Sequence, residues 1–159
     1  MRLSRVREPN KIITAAAAVL LSAQSASAQD LDLRAQVAAC VQPTNEARTQ
    51  VAVAQLRAAG FEPTVETFTG GNRQTGEMEG RNVVVLIPGS ASGDKEILLT
   101  AHYDAVRLRD GAMSQGVVDN AASVVGVIEA AKAIRERGLS HRVRVIFFDQ
   151  EELGLIGAR

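Results

Sequence analysis

Apolar residues along the chain fall into two patterns, one typical of amphipathic helices and one typical of strands. Apolar runs at 82–87, 96–100 and 142–148 predict three strands, the first covered on both faces and the second also buried. Apolar residues three or four positions apart predict a long helix over 121–137, which Asp119 or Asn120 caps. The other predicted elements are a helix over 30–41, a helix from Thr44 or Asn45 to Ala59, a strand over 61–68, a hairpin or loop over 70–80 and the start of a helix over 153–158.

The order of these elements predicts an α/β domain in which helices pack on a sheet. His102 and Asp104 follow one predicted strand, and Glu151 and Glu152 follow another. Asp119 lies at the start of the long helix, directly after a predicted loop. Ligands of such sheets bind beyond the carboxyl ends of the strands. We therefore expect these five side chains to meet at one edge of the sheet.

The first 28 residues have the features of a secretory signal peptide. Basic residues up to Lys11 precede a short apolar stretch over 12–21, and Ala26-Ser27-Ala28 is a cleavage signal of the small-x-small type. The apolar stretch is shorter than the roughly 20 residues that cross a bilayer. We expect cleavage after Ala28, a secreted or periplasmic protein, and no membrane anchor elsewhere in the chain. An uncleaved amphipathic or buried helix is the alternative.

The charge and the aromatic content of the chain argue against nucleic acid as a partner. The chain carries no net formal charge, and because its leader is basic the remainder is mildly acidic. Tryptophan is absent and aromatic residues are only 3% of the chain, so neither charge nor stacking favours nucleic acid as a partner. Cys40 is the single cysteine, which excludes a disulfide within the chain. We interpret it either as a buried thiol or as a partner for a cysteine beyond Arg159.

The five candidate side chains suit a metal-dependent hydrolase. His102 and Asp104 are two residues apart and point to the same side of an extended chain, so one can bind a metal while the other orients it. The two oxygens of Asp119 can bridge two cations. Adjacent Glu151 and Glu152 can divide the tasks of metal ligand and general base. The structural alternatives are a helix cap for Asp119 and a solvated helix start for the glutamate pair.

These residues and their order resemble the M28 family of zinc peptidases, which includes secreted bacterial aminopeptidases. The resemblance runs from about Asn45 to Arg159. The motifs that carry it are Ala101-His102-Tyr103-Asp104, Gly116-Val117-Val118-Asp119-Asn120, Val127-Ile128-Glu129 and Glu151-Glu152-Leu153-Gly154-Leu155-Ile156-Gly157. The last motif matches the family pattern Glu-Glu-x-Gly-Leu-x-Gly at every defined position and is the most specific.

The resemblance implies a role for each candidate residue. His102 would bind one zinc ion, Asp119 would bridge two zinc ions, and Glu152 would bind the other. Asp104 would orient the histidine, and Glu151 would be the general base. The implied reaction is hydrolysis of peptide substrates, most often with release of an N-terminal amino acid.

The resemblance also implies a three-layer α/β/α zinc-peptidase-like fold with a mostly parallel or mixed sheet. Residues 29–159 would form the N-terminal portion of the catalytic domain, truncated at its C-terminal side. The family uses a further Asp and a further His as zinc ligands, which we expect beyond Arg159. The oligomeric state stays open.

Three alternatives stay open beside this interpretation. The M20 family of zinc amidohydrolases uses similar residues, but it usually has Asp-x-Lys-Gly where this chain has Asp119-Asn120-Ala121-Ala122. Glutaminyl cyclase, a single-zinc acyl transferase on a similar fold, often has a tryptophan-rich active site. A non-catalytic remnant is the third, because a sheet cut after its third or fourth strand leaves an open edge and face. We expect the 159-residue chain alone to be poorly soluble and at most feebly active.

Overall fold

The computed structural model describes residues 32–91, 93 and 95–159. The predicted signal peptide and its cleavage site after Ala28 lie outside these residues. The chain forms two units, Met1–Arg34 and Ala35–Arg159, and the strands belong to the second. Among the described residues, no helix has the length and apolar character needed to cross a membrane.

The second unit is built around a four-stranded mixed sheet. A first helix, α1, is described over residues 32–40. The main elements that follow are α2 (Asn45–Ala58), β1 (Thr64–Asn72), β2 (Gly76–Ile87), β3 (Glu96–His102), α3 (Ala122–Arg137) and β4 (Arg142–Phe148). The strand order is β1-β2-β4-β3; β2 pairs antiparallel with β1 and β4, whereas β3 and β4 run parallel and α3 connects them. The predicted α/β class with a mixed sheet is confirmed.

Sequence signals at both ends set the bounds of α2. Thr44 is extended, and its Oγ1 accepts a hydrogen bond from the backbone N–H of Ala47 at 3.1 Å. This bond caps the helix, because it satisfies an N–H group that the first turn leaves unpaired. Beyond the other end, Gly60 has a φ of +79°, a conformation that glycine adopts without steric cost. The helix therefore lies where the sequence predicts it.

The core lies between one face of the sheet and helices α2 and α3. Val83 pairs with Phe147 and Val85 pairs with Val145 across β2 and β4, and all four side chains are buried. The helices contribute Ala52, Leu56, Val124, Val125, Ile128 and Ala131 to the core. The helical spacing of apolar residues in α3 thus indicates its buried face correctly. Cys40 is also buried, as the first interpretation of this cysteine expects.

The opposite face of the sheet is partly open, and the prediction that 96–100 is a buried strand was wrong. Leu98 is 61% exposed, and Leu86, which pairs with the same residue of β4, is also exposed. Ile97 lies on the core face of β3 and is exposed as well. β3 is an edge strand of the described sheet. An apolar run does not indicate which strand lies at an edge, because strand order depends on pairings between distant parts of the chain.

We expect this open face to make the 159-residue chain self-associate. Leu98→Gln removes the most exposed large apolar side chain of β3 and should raise the monomeric fraction. Thr100→Gln is the control, because it changes an exposed residue on the same face of β3 without removing a large apolar group. Size-exclusion chromatography with light scattering measures the fraction. A wild-type chain that stays monomeric at high concentration would contradict this expectation.

The polar stretch 70–80 forms most of a β-hairpin, one of the two predicted outcomes. β1 runs to Asn72 and β2 begins at Gly76, so both strands are longer than the apolar pattern indicates. Glycine here makes room for packing: a Cβ on Gly80 would overlap the ring of Phe68, its partner across the two strands. Strand propensity alone misses such a position, because glycine ordinarily weakens a strand.

Candidate metal centre

β3 brings His102 and Asp104 to the carboxyl edge of the sheet. Tyr103 between them is buried, and its hydroxyl donates to the backbone carbonyl of Arg81 at 2.6 Å. Because side chains alternate along extended chain, His102 and Asp104 point to the side opposite Tyr103. His102 Nδ1 lies 3.3 Å from Asp104 Oδ1, an ion-pair contact whose angles are not those of a hydrogen bond. The two residues are therefore neighbours, as their spacing predicts.

Asp104 also holds the turn that follows β4. Its Oδ1 accepts a hydrogen bond from the N–H of Glu151, and its Oδ2 accepts one from the N–H of Glu152, both at 3.1 Å. The residue is 1% exposed, so water does not compete for these bonds. One buried carboxylate therefore connects His102 to both glutamates, a connection that sequence spacing does not reveal.

Asp119 lies in an irregular turn, Val117–Ala121, directly before α3. Its φ and ψ of −118° and 89° are not helical, its peptide bond to Asn120 is cis, and its side chain is 73% exposed. α3 begins at Ala122 without a side-chain cap, so the prediction that Asp119 or Asn120 caps this helix was wrong. The carboxylate instead faces the sheet edge, where its Oδ1 lies 3.0 Å from His102 Nε2.

His102, Asp119 and Glu152 form a cluster of three candidate ligands at this edge. Each offers one donor atom, and these atoms lie within 4.8 Å of one another. An imidazole nitrogen with two carboxylate oxygens is a donor set that zinc accepts. Glu151 Oε2 lies 3.7 Å from His102 Nε2, and Asp104 lies on the other side of the imidazole. The structure thus brings all five sequence-predicted residues to one place.

The part of the chain that carries this cluster matches a known family. The model of peptidase family M28 covers residues 82–159, from within β2 to Arg159. Residues 82–159 belong to peptidase family M28. This M28 segment contains all five candidate residues, and the family resemblance of the motifs is confirmed.

Solved structures share the fold of the M28 segment and the elements before it. A Zn-dependent exopeptidase from Parabacteroides distasonis matches with a TM-score of 0.58 at 21% identity, over 77% of this chain and 45% of its own. A leucine aminopeptidase precursor from Bacteroides thetaiotaomicron gives 0.57 at 20% identity, over 76% and 45%. A glutaminyl cyclase from Porphyromonas gingivalis gives 0.60 at 21% identity, over 77% and 46%. The chain therefore spans less than half the length of these structures.

Carboxylates around the histidine of the M28 segment set its protonation. Burial lowers the pKa of His102, but the surrounding carboxylates, Asp104 foremost, outweigh burial and raise this pKa to about 9. Burial and negative neighbours, foremost Asp119, raise the pKa of Glu152. The cluster therefore concentrates negative charge around one imidazole, and a divalent cation that replaces the imidazole proton would balance this charge.

The affinity of the chain for zinc is expected to rise with pH up to about 9. Below that pKa, His102 is protonated in the metal-free chain and zinc has to displace the proton, so affinity falls by up to about tenfold per pH unit. Calorimetric titration in two buffers of different protonation enthalpy measures the released proton. His141→Gln is the control, because His141 is exposed at the opposite end of β4. An affinity that does not change between pH 6 and 9 would contradict the expectation.

The turn after β4 is irregular, although a helix was predicted over 153–158. Gln150 and Leu155 adopt positive φ values of 56° and 61°, which interrupt any helix. Among the described residues after β4, only Ile156–Ala158 forms a short 3-10 turn. The two glutamates therefore lie in an irregular turn and not at the start of a helix.

Asp149 is the residue near the site that sequence reasoning undervalued. It is buried and accepts hydrogen bonds from the N–H groups of Arg81 and Gln150 at 3.1 and 2.9 Å. Asn45 Nδ2 donates to the same carboxylate at 3.3 Å. Burial raises the pKa of Asp149, and the backbone hydrogen bonds oppose that change. Asp149 thus fixes the start of the turn that carries the glutamates; a charge directly after an apolar strand was the available signal.

Proposed function

We propose that the protein is a zinc-dependent peptidase that removes N-terminal amino acids from peptides, with two zinc ions in its complete site. The observation that carries this proposal is the position of Glu151. Its carboxylate lies beside the cluster of His102, Asp119 and Glu152, 3.7 Å from the imidazole, in a segment of peptidase family M28. A carboxylate in that position is available as a base next to a metal site.

The residues of the chain divide the work of hydrolysis. Zinc, when bound, polarises the peptide carbonyl and lowers the pKa of water. His102, Asp119 and Glu152 hold the metal, and Glu151 takes a proton from the attacking water and passes it to the departing amine. Asp104 keeps the imidazole in place and, through its two hydrogen bonds, keeps Glu151 aligned with the cluster.

Two zinc ions need more ligands than the cluster of three provides. The matched structures are more than twice as long as the shared part of this chain. We propose that the remaining ligands come from a part of the protein outside this chain. The pocket that selects the N-terminal residue of the substrate is proposed to lie there too.

Hydrolysis of leucine p-nitroanilide by the purified whole protein tests the proposal. We expect turnover that a chelator removes and that Zn²⁺ restores. N-acetyl-leucine p-nitroanilide is the matched control, because an aminopeptidase needs a free amino group and should leave this substrate intact. Metal analysis should find two zinc ions per protein. A zinc-loaded protein that cleaves neither substrate, nor any unblocked peptide, would overturn the proposed function.

Glutaminyl cyclisation is the second candidate, because a cyclase matches as well as the exopeptidase does. Glutaminyl cyclases from Porphyromonas gingivalis and an Acidobacteriales bacterium give TM-scores of 0.60 and 0.59. The active site of glutaminyl cyclases is often rich in tryptophan, whereas this chain contains no tryptophan. Release of ammonia from a peptide with N-terminal glutamine, without loss of any amino acid, would favour this candidate. A content of one zinc ion would point the same way.

We also propose that the protein is exported. Support comes from the basic start, the apolar stretch over 12–21 and the cleavage signal ending at Ala28. N-terminal sequencing of the protein recovered from the periplasm or medium should begin at Gln29. Recovery of the intact N-terminus from the cytoplasm alone would contradict export.

A further inference from the structure

Arg48 of α2 is a buried cation that the proposed reaction does not use. It is 3% exposed. Its Nε donates to the carbonyl of Gln42 at 3.1 Å, and its Nη2 donates to the carbonyls of Ser114 and Gln115 at 2.8 and 3.1 Å. A buried charge is unfavourable unless hydrogen bonds compensate it, and here the compensation comes from backbone carbonyls. The position of Arg48 is therefore tied closely to the position of that backbone.

The carbonyls of Ser114 and Gln115 belong to the end of the loop that leads to Asp119. Residues 105–116 connect β3 to the Asp119 turn, and apart from one isolated bridge they contain no helix or strand. Gly116 precedes the turn with a φ of +61°. A Cβ on Gly116 would lie 3.1 Å from Arg48 Nη1 and 2.9 Å from the carbonyl oxygen of Asp119. The guanidinium thus packs directly against the backbone that carries the candidate ligand.

We propose that Arg48 is a positioning residue for Asp119, which holds the 114–116 backbone and so sets the distance from the Asp119 carboxylate to the other two ligands. This inference rests on the proposed zinc site. His102 lies in a paired strand and Glu152 is held through its backbone by a buried carboxylate. Asp119 lies outside regular structure with an exposed side chain, so its position depends on the backbone before it.

The shape of the guanidinium makes the inference testable. Its planar group donates in several fixed directions, whereas a lysine ammonium is a single point charge that cannot reproduce the fork. Arg48→Lys keeps the positive charge but cannot make the same set of hydrogen bonds to the carbonyls of Gln42, Ser114 and Gln115. Arg135→Lys is the matched control: Arg135 also binds two successive carbonyls, those of Ala59 and Gly60, but it lies near the end of α3 that is remote from Asp119.

Zinc affinity of the purified chain, measured by competition with Co²⁺ and followed by visible absorption, is the readout, with circular dichroism as the test of folding. Arg48→Lys should bind zinc about 10–100-fold more weakly, the usual effect of losing an outer contact of a metal site. Arg135→Lys should stay within about twofold of the wild type. In an Asp119→Ala background, Arg48→Lys should cause no further loss, because the proposed effect acts only through that ligand.

Two outcomes of these zinc-binding measurements would overturn the inference about Arg48. A folded Arg48→Lys chain with wild-type affinity, or an equal further loss in the Asp119→Ala background, would overturn the inference. If Arg48→Lys does not fold, Arg48→Gln is the second variant, since its planar amide has fewer donors than the guanidinium and should weaken zinc binding in a folded chain. A wild-type chain that binds no zinc would instead overturn the proposed site, and the inference with it.

Discussion

Replacement of Glu151 by glutamine is expected to lower kcat of the whole protein by about 10²–10⁴-fold, the usual contribution of a general base. The amide has the shape of the carboxylate but cannot accept a proton at neutral pH. Zinc content should not change, because the cluster of His102, Asp119 and Glu152 does not require Glu151. The backbone N–H of residue 151 keeps its bond to Asp104, so the turn should also keep its shape.

Two variants make this expectation specific. Glu152→Gln is the counterpart, because it changes the adjacent residue in the same way but should lose zinc together with activity. Glu136→Gln is the control, because Glu136 is exposed near the end of α3 and should keep both. Metal analysis and steady-state kinetics on the three proteins separate the roles. Loss of zinc from Glu151→Gln, or full activity in it, would show that Glu151 is not the base.

The location of the candidate site follows from sequence because its residues come directly after apolar strands. His102 ends one strand, and Glu151 and Glu152 come shortly after another. Parallel strands present their carboxyl ends at the same edge of a sheet, and β3 and β4 are parallel neighbours. The polar residues that directly follow apolar strands therefore mark the edge of the sheet at which the site lies, and the parallel pairing of β3 and β4 brings these side chains together.

The supports of the site do not follow from sequence in the same way. Asp149 contacts Asn45, and Arg48 contacts Ser114, in each case across a long stretch of chain. Single hydrogen bonds between distant residues leave no period in the sequence. The exposed face of Leu98 has a related cause, since strand order and covering layers are set by long-range pairing. Local pattern predicts elements; the way they pack has to be observed.

Asp104→Ala is expected to have the largest combined effect on stability and metal binding. The change leaves two partly buried N–H groups, those of Glu151 and Glu152, without partners. An unsatisfied buried donor costs about 1–3 kcal/mol, and partial burial keeps each cost near the lower value, so the free energy of unfolding should fall by roughly 2–3 kcal/mol. Zinc affinity should fall by about 10–100-fold, because the imidazole loses its neighbour and the ligand turn loses its anchor.

The protonation of His102 separates this role from a general loss of stability. Burial alone lowers the pKa of His102, and the Asp104 carboxylate is the largest contribution that raises it to about 9, so the pKa should fall in Asp104→Ala. Asp149→Ala is the control: it also removes a buried carboxylate that anchors the turn, but not the neighbour of the imidazole. Chemical denaturation and NMR titration of the metal-free chains measure both quantities. Equal changes in the His102 pKa in the two variants would contradict a direct role for Asp104, because only one of these carboxylates contacts the ring.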